Sequence, residues 1–240
     1  MLVTSRSAAE YRAMFALPPE LPGTVLDCCA GGASFAAETA GVVAVDPTYA
    51  RGRAELADGV RTGLVDGDRM IAAHADRFDW SWYGDRAARA SMRTAAAAAF
   101  LADLADRPGR YVAGALPHLP LATGSVDLAL CSHLLFTWAD RFDEHWHRAA
   151  LVELARVARQ EVRVYPLVLQ GSGEPVPFLD ALRADLDAAG LPSELRPVPY
   201  RFQRGAEEML VVGTVDGWPT SDVRSSREPT TRRSRSGSWT

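Results

Sequence analysis

Asp27 and Asp46 stand nineteen residues apart, each at the end of a short apolar run, and a turn of small residues, Cys28-Cys29-Ala30-Gly31-Gly32-Ala33, follows the first at once. Small residues let a ligand approach the backbone closely, and ligands of open parallel sheets sit beyond the carboxyl ends of the strands. A carboxylate closing the second strand can accept both hydroxyls of a ribose. The pair therefore describes a site for a nucleoside-containing cofactor. A dinucleotide does not suit it, because GxGxxG is absent and Asp27 would repel a pyrophosphate. A cofactor with a cationic amino-acid end suits it better. The competing reading is that each aspartate merely caps the helix that follows it.

These residues need a sheet to position them. Residues 24–29 (TVLDCC) read as a strand, 35–41 (FAAETAG) as a helix closed by Gly41, and 42–47 (VVAVDP) as the next strand. Strand, turn, helix and strand in under thirty residues make a βαβ unit, which builds a parallel sheet with right-handed crossovers. The alternation resumes with strands at 110–114, 125–136 and 161–168 and helices at 144–158 and 178–190. Strand candidates at 196–202 and 208–214 are close enough for a hairpin. A helix over 8–15 leads in, and a long helix-prone insertion occupies about 48–109. Residues 1–215 are expected to form a single domain, and 216–240, rich in Ser, Thr, Arg and Pro, a disordered tail.

At this point the sequence resembles the class I S-adenosylmethionine-dependent methyltransferases over roughly residues 23–214. Their first motif, acid-x-Gly-x-Gly-x-Gly, is matched by Asp27 and Gly31, while Cys29 and Ala33 replace its first and third glycines. The stretch 119–132 (LPL-ATGSVDLALCS) is similar to their fourth-strand motif. The resemblance implies a Rossmann-like α/β fold: a mostly parallel seven-stranded sheet with a terminal antiparallel hairpin and a helical insertion between strands 2 and 3. It implies S-adenosylmethionine as cofactor, with its methionine end on Asp27, Cys29, Ala30, Gly31 and Gly32 and its ribose and adenine at Asp46 and Pro47. Ala115, Cys131 and Ser132, at the ends of the third and fourth strands, complete the implied cofactor set. The acid that often follows the third strand of such proteins is missing, since Gly114-Ala115-Leu116-Pro117 stands there.

His133 follows the fourth strand, where a substrate-facing base could sit, and an ordinary imidazole pKa of about 6.5 would let it accept a proton. Trp80, Trp82 and Tyr83, in the cluster FDWSWYGD of the insertion, are expected to line the acceptor pocket. Glu144, His145 and His147 offer no fourth ligand, so no metal is expected. The three cysteines, Cys28, Cys29 and Cys131, lack metal spacing and a disulfide framework, which fits a reducing compartment.

Apolar residues make up 48% and charged residues 23% of the chain, an ordinary globular composition, and no run is long and apolar enough to span a bilayer. A cytoplasmic protein without membrane attachment is expected. The formal net charge is −4, and about −6 without the Arg-rich tail, which argues against a sequence-independent grip on nucleic acid. The expected activity is methyl transfer from S-adenosylmethionine to a small molecule. The alternatives are a non-catalytic S-adenosylmethionine-binding module and a nicotinamide-dependent oxidoreductase.

Overall fold

Alternation of buried side chains along the strands divides the interior in two. In the computed structural model, which describes residues 3–214, strand β1 (Val25–Cys28) is buried on both sides. Val25 belongs to one apolar cluster, and Leu26 and Cys28 to the other. Successive strand side chains point to opposite faces, so such a strand needs cover above and below. Helices α1 (Ala8–Met14), α2 (Phe35–Glu38), α3 (Arg53–Ala72) and α4 (Arg86–Asp106) supply the first cluster through Tyr11, Phe35, Val60 and Phe100. Helices α5 (Glu144–Val157) and α6 (Leu179–Ala188) supply the second through Leu151, Leu154, Leu182 and Leu186.

The sheet joins β1 to β2 (Val42–Asp46), β3 (Tyr111–Ala113), β4 (Val126–Ser132), β5 (Ala158–Tyr165), β6 (Ser193–Pro197) and β7 (Glu208–Gly213) in the order β3-β2-β1-β4-β5-β7-β6. The β1 to β5 pairings are parallel, whereas β7 runs antiparallel to both β5 and β6. This is the Rossmann-like, mostly parallel seven-stranded sheet with a terminal antiparallel hairpin, and the helical insertion lies between β2 and β3 as expected. Strand order reverses between β1 and β4, which makes their carboxyl ends the natural crevice of the fold.

Several boundaries differ from the sequence reading, β5 among them, which starts at Ala158 and not at 161. Helix α2 keeps only four residues, because Thr39 is extended and Gly41 takes φ +74°. The β4 run stops at Ser132 instead of 136, since His133 adopts φ +56° and leaves the strand direction. Strand β6 lies three residues earlier than expected, with a long connection before β7. The expectation for 216–240 falls outside the described residues. Among the described residues, no helix is long and apolar enough to cross a membrane.

Residues 3–6 run as a strap between the small-residue turn and α3. Gly32 N–H donates to Thr4 O at 2.9 Å and Ser34 N–H to Arg6 O at 2.8 Å. A Cβ on Gly63 of α3 would overlap the Val3 carbonyl, so only glycine lets the two backbones pass this closely. At the end of the strap Ser7 and Glu10 form a reciprocal capping box that starts α1.

Candidate functional site

A cavity of about 1780 Å³ opens at the carboxyl ends of β1, β2 and β4. Cys29, Gly31 and Asp46 line it from the first two strand ends, Ser132 and His133 from the fourth, and Arg6 from the strap. It exceeds the ~300–1,000 Å³ of ordinary small-ligand pockets. Cys29 stands where the family motif has a glycine and takes φ +63°, a left-handed conformation costing an L-residue roughly 1–2 kcal/mol. His133 is likewise left-handed, and non-glycine residues so held cluster at functional sites.

Asp46 is both a cap and a cavity residue. Its Oδ1 accepts from Thr48 N–H at 2.8 Å and Thr48 Oγ1 at 2.5 Å, capping the single 3-10 turn Pro47–Ala50. Its Oδ2 accepts from Gly31 N–H at 2.9 Å. A carboxylate offers about four acceptor positions, so these bonds leave room for about one ribose hydroxyl. The sequence reading expected two ribose hydroxyls at this carboxylate.

Asp27 does not reach the cavity wall. It is fully buried, its Oδ1 accepts from the Tyr11 hydroxyl at 2.9 Å, and its Oδ2 has no hydrogen-bond partner among the described residues. Burial pushes its carboxyl up to about 7, and nearby Asp46 adds to this against the opposing pull of the Tyr11 hydrogen bond and Arg6. Ala30, Gly32, Pro47, Ala115 and Cys131 also lie off the cavity wall. Ala30, Gly32 and Cys131 are buried in packing, Pro47 starts the 3-10 turn, and Ala115 is exposed and bridges to His118. The backbone N–H groups from Cys29 to Ser34 are all taken within the chain, so the turn faces the cavity without free donors.

His133 does face the cavity. Ser132 Oγ donates to Met14 Sδ at 4.0 Å and lies 2.9 Å from His133 Nδ1. Either atom can carry the hydrogen of this bond, so it fixes the ring's orientation and not its tautomer. Burial, reinforced by the charges of Arg6, Arg93 and Arg89, holds the imidazole well below its ordinary pKa. His133 is therefore neutral near pH 7.

The insertion meets the site differently from expectation. Trp80, Trp82 and Tyr83 are not in the cavity wall; Phe78, Tyr200 and Phe202 are. Trp80 Nε1–H donates to Ala75 O at 2.9 Å and its ring packs edge-on against Phe202, with centroids 5.4 Å apart. Trp82 packs edge-on against Tyr83 and Tyr200. Tyr83 is buried, its hydroxyl bonded to Glu10 and 2.6 Å from that of Tyr200. The three residues hold Tyr200 and Phe202 in place from behind. Sequence reasoning missed these two rings, because the long connection before β7 carries them across the fold.

It also missed Arg6, Arg89 and Arg93, which line the cavity together. Arg89 and Arg93 lie four residues apart on α4, the spacing that stacks side chains on one helix face, and this was the available signal. His147, by contrast, is a core residue. Its Nε2 accepts from Phe136 N–H at 2.9 Å and its Nδ1 lies 2.8 Å from Asp143 O, while His145 is exposed. Among the described residues, no three His, Cys, Asp or Glu side chains are placed to share a metal ion.

No protein-family model and no curated protein matches the chain. Solved structures do resemble it. It is similar to an S-adenosylmethionine-dependent methyltransferase from Aquifex aeolicus at 14% identity, covering 85% of this chain and 87% of that one, with a TM-score of 0.42. A magnesium protoporphyrin IX methyltransferase from Synechocystis, solved with S-adenosylmethionine bound, aligns at 13% identity over 86% of this chain and 77% of its own, with a TM-score of 0.43. A putative methyltransferase of the same cofactor class from Methanococcus maripaludis gives 12% identity, 88% and 85% coverage and a TM-score of 0.41. At these identities the likeness is one of fold.

Proposed function

We propose that the chain transfers a methyl group from S-adenosylmethionine to a small-molecule acceptor. The observation that carries this reading is the cavity itself. Asp46, the left-handed Cys29 and a neutral His133 meet there, at the point where strand order reverses. The residues fit the cofactor, with Cys29 and Gly31 along its amino-acid end and Asp46 offering one acceptor position to its ribose. Asp27, buried behind the turn and off the cavity wall, would act on the cofactor only through space and only in its ionised form. When bound, S-adenosylmethionine supplies a methyl group already activated on a sulfonium.

What remains for the protein is alignment and exclusion of water. Ser132 fixes the ring through Nδ1, and in the tautomer that donates Nδ1–H to it, His133 Nε2 takes the acceptor's proton. The aromatic wall of Phe78, Tyr200 and Phe202 holds the acceptor's apolar body. The three cysteines are free thiols, in keeping with the cytoplasmic setting this reading assumes. A second reading, a binding module without catalysis, draws on Cys29 and Ala33 in place of the motif's glycines and on the missing acid after the third strand.

Calorimetry with S-adenosylmethionine, S-adenosylhomocysteine and NAD tests the cofactor. Binding of the first two and not of NAD is expected, and the reverse pattern would end the proposal. Transfer of labelled methyl to a panel of small acceptors then separates enzyme from binding module. His133→Gln should lower turnover at least tenfold with S-adenosylhomocysteine affinity unchanged. Because its pKa is depressed, the wild-type rate should not fall between pH 8 and 6.5 through protonation of this residue.

A further inference from the structure

Seven residues of the cavity wall are arginines against three aspartates, in a chain whose formal net charge is −4. The deepest of the arginines are poorly matched. Arg89 and Arg93 are each only 8% exposed. Arg93 has one carboxylate, Glu10, at 2.7 Å. Arg89 has none within ion-pair reach among the described residues; its guanidinium lies 4.9 Å from the centre of the Phe202 ring and 5.9 Å from that of Tyr83. Arg6 reaches Thr4 Oγ1 at 2.8 Å and no acid. The Nε atoms of all three are buried without a hydrogen-bond partner.

Three cations thus share one carboxylate in a cavity where burying an uncompensated charge is costly. The strain shows in their chemistry, since burial and the neighbouring Arg93 push down the pKa values of both Arg6 and Arg89. Asp46 does not relieve it, being held by Gly31 and Thr48. Nor does the cofactor of the proposed reaction: its sulfonium and ammonium outweigh its one carboxylate, so it brings net positive charge. The compensating anion has to come from the other ligand.

We propose that the acceptor is an organic oxyanion, a carboxylate or phosphate ester, gripped by Arg89 and Arg93 with its apolar body against Phe202 and Tyr200. Both guanidinium groups stand on adjacent turns of α4 and line the same cavity, and guanidinium forks recognise such oxygens bidentately. The Phe202 ring already seats one of them, its centre 4.9 Å from the Arg89 guanidinium carbon. This inference rests on the methyltransferase reading for the word acceptor, but the anion site stands on its own residues.

The test uses the full chain and four simple probes at constant ionic strength: sodium benzoate, phenyl phosphate and inorganic phosphate, with benzamide as the neutral control. At ten times Kd, benzoate or phenyl phosphate should raise the melting temperature by roughly 3 °C over chloride, with no rise for benzamide. Inorganic phosphate distinguishes a bare oxyanion site from one that also needs the aromatic body. Arg89→Met, which keeps the stem packed on Phe202, should abolish the shift, and Arg89→Lys should restore part of it. Both variants should bind S-adenosylhomocysteine as the wild type does. No shift with any of the three anions, an equal shift with benzamide, or a shift surviving in Arg89→Met would overturn the proposal. Anion binding without S-adenosylhomocysteine binding would instead leave the site standing and remove the methyltransferase reading, and the converse result would do the opposite.

Discussion

The carboxylate of Glu10, fully buried in the first turn of α1, lies 2.7 Å from the guanidinium of Arg93 in α4. Ser7 N–H and Oγ and the Tyr83 hydroxyl donate to the same carboxylate. Tyr83 in turn meets Tyr200 from the connection before β7. One acid thereby ties the strap, the insertion and the aromatic wall together on one side of the cavity.

Replacing Glu10 with Gln should therefore be severe. A buried pair broken on one side costs about 3–5 kcal/mol, because the remaining charge is left uncompensated. Burial alone would raise the Glu10 pKa, yet Arg93 and the bonds from Tyr83 and Ser7 hold it below the usual glutamate value. A folded pKa below the unfolded one gives stability that is present above about pH 4.5 and is lost as pH falls through the folded value. Urea unfolding between pH 3 and 7 should show this acid dependence in the wild type and its weakening in Glu10→Gln.

Asp46→Ala removes three hydrogen bonds, and orphaned buried donors cost about 1–3 kcal/mol each. A loss of at least about 2 kcal/mol in urea unfolding is expected, alongside weaker S-adenosylmethionine binding by calorimetry. Full stability with weakened binding would mean that the carboxylate serves the ligand alone.

Asp27 carries the opposite pH signature. Its pKa rises from 3.8 to about 7 on folding, mainly through burial. A raised pKa gives stability that is complete below the unfolded value and is lost as pH rises toward 7 and beyond. Asp27→Asn keeps an acceptor for the Tyr11 hydroxyl and cannot ionise. It should gain stability over the wild type by up to about 4 kcal/mol at pH 8 and little at pH 4. Equal stability of the two proteins at both pH values would place the Asp27 pKa near its ordinary value.

Trp82→Ala should act on the fold before the reaction. Its ring is edge-packed on Tyr83 and Tyr200, 4.8 and 5.0 Å between centroids, and does not line the cavity. A loss of about 3 kcal/mol in stability is expected. Loss of turnover in a variant of unchanged melting temperature would return Trp82 to the acceptor pocket.

Local pattern decided most of the architecture. The runs 24–29 and 42–47, separated by a turn and a helix, read as buried parallel strands, and Asp27, Gly31 and Asp46 mark their ends without reference to anything distant. The parallel sense of the first strands followed from the βαβ connections, their order in the sheet came only with the structure, and His133 was legible because it directly follows a strand end. Tertiary structure alone decided which side chains reach the cavity. Asp27 is screened by Tyr11 from sixteen residues upstream, and Trp82 and Tyr83 are turned to the core by Tyr200, over a hundred residues away. Arg6, Arg89 and Arg93 come from a strap and an inserted helix whose meeting no periodicity encodes. A pattern fixes which face of an element is apolar, because that depends on neighbours along the chain. Where a charge ends up depends on which distant segment is left beside it once the apolar faces have closed.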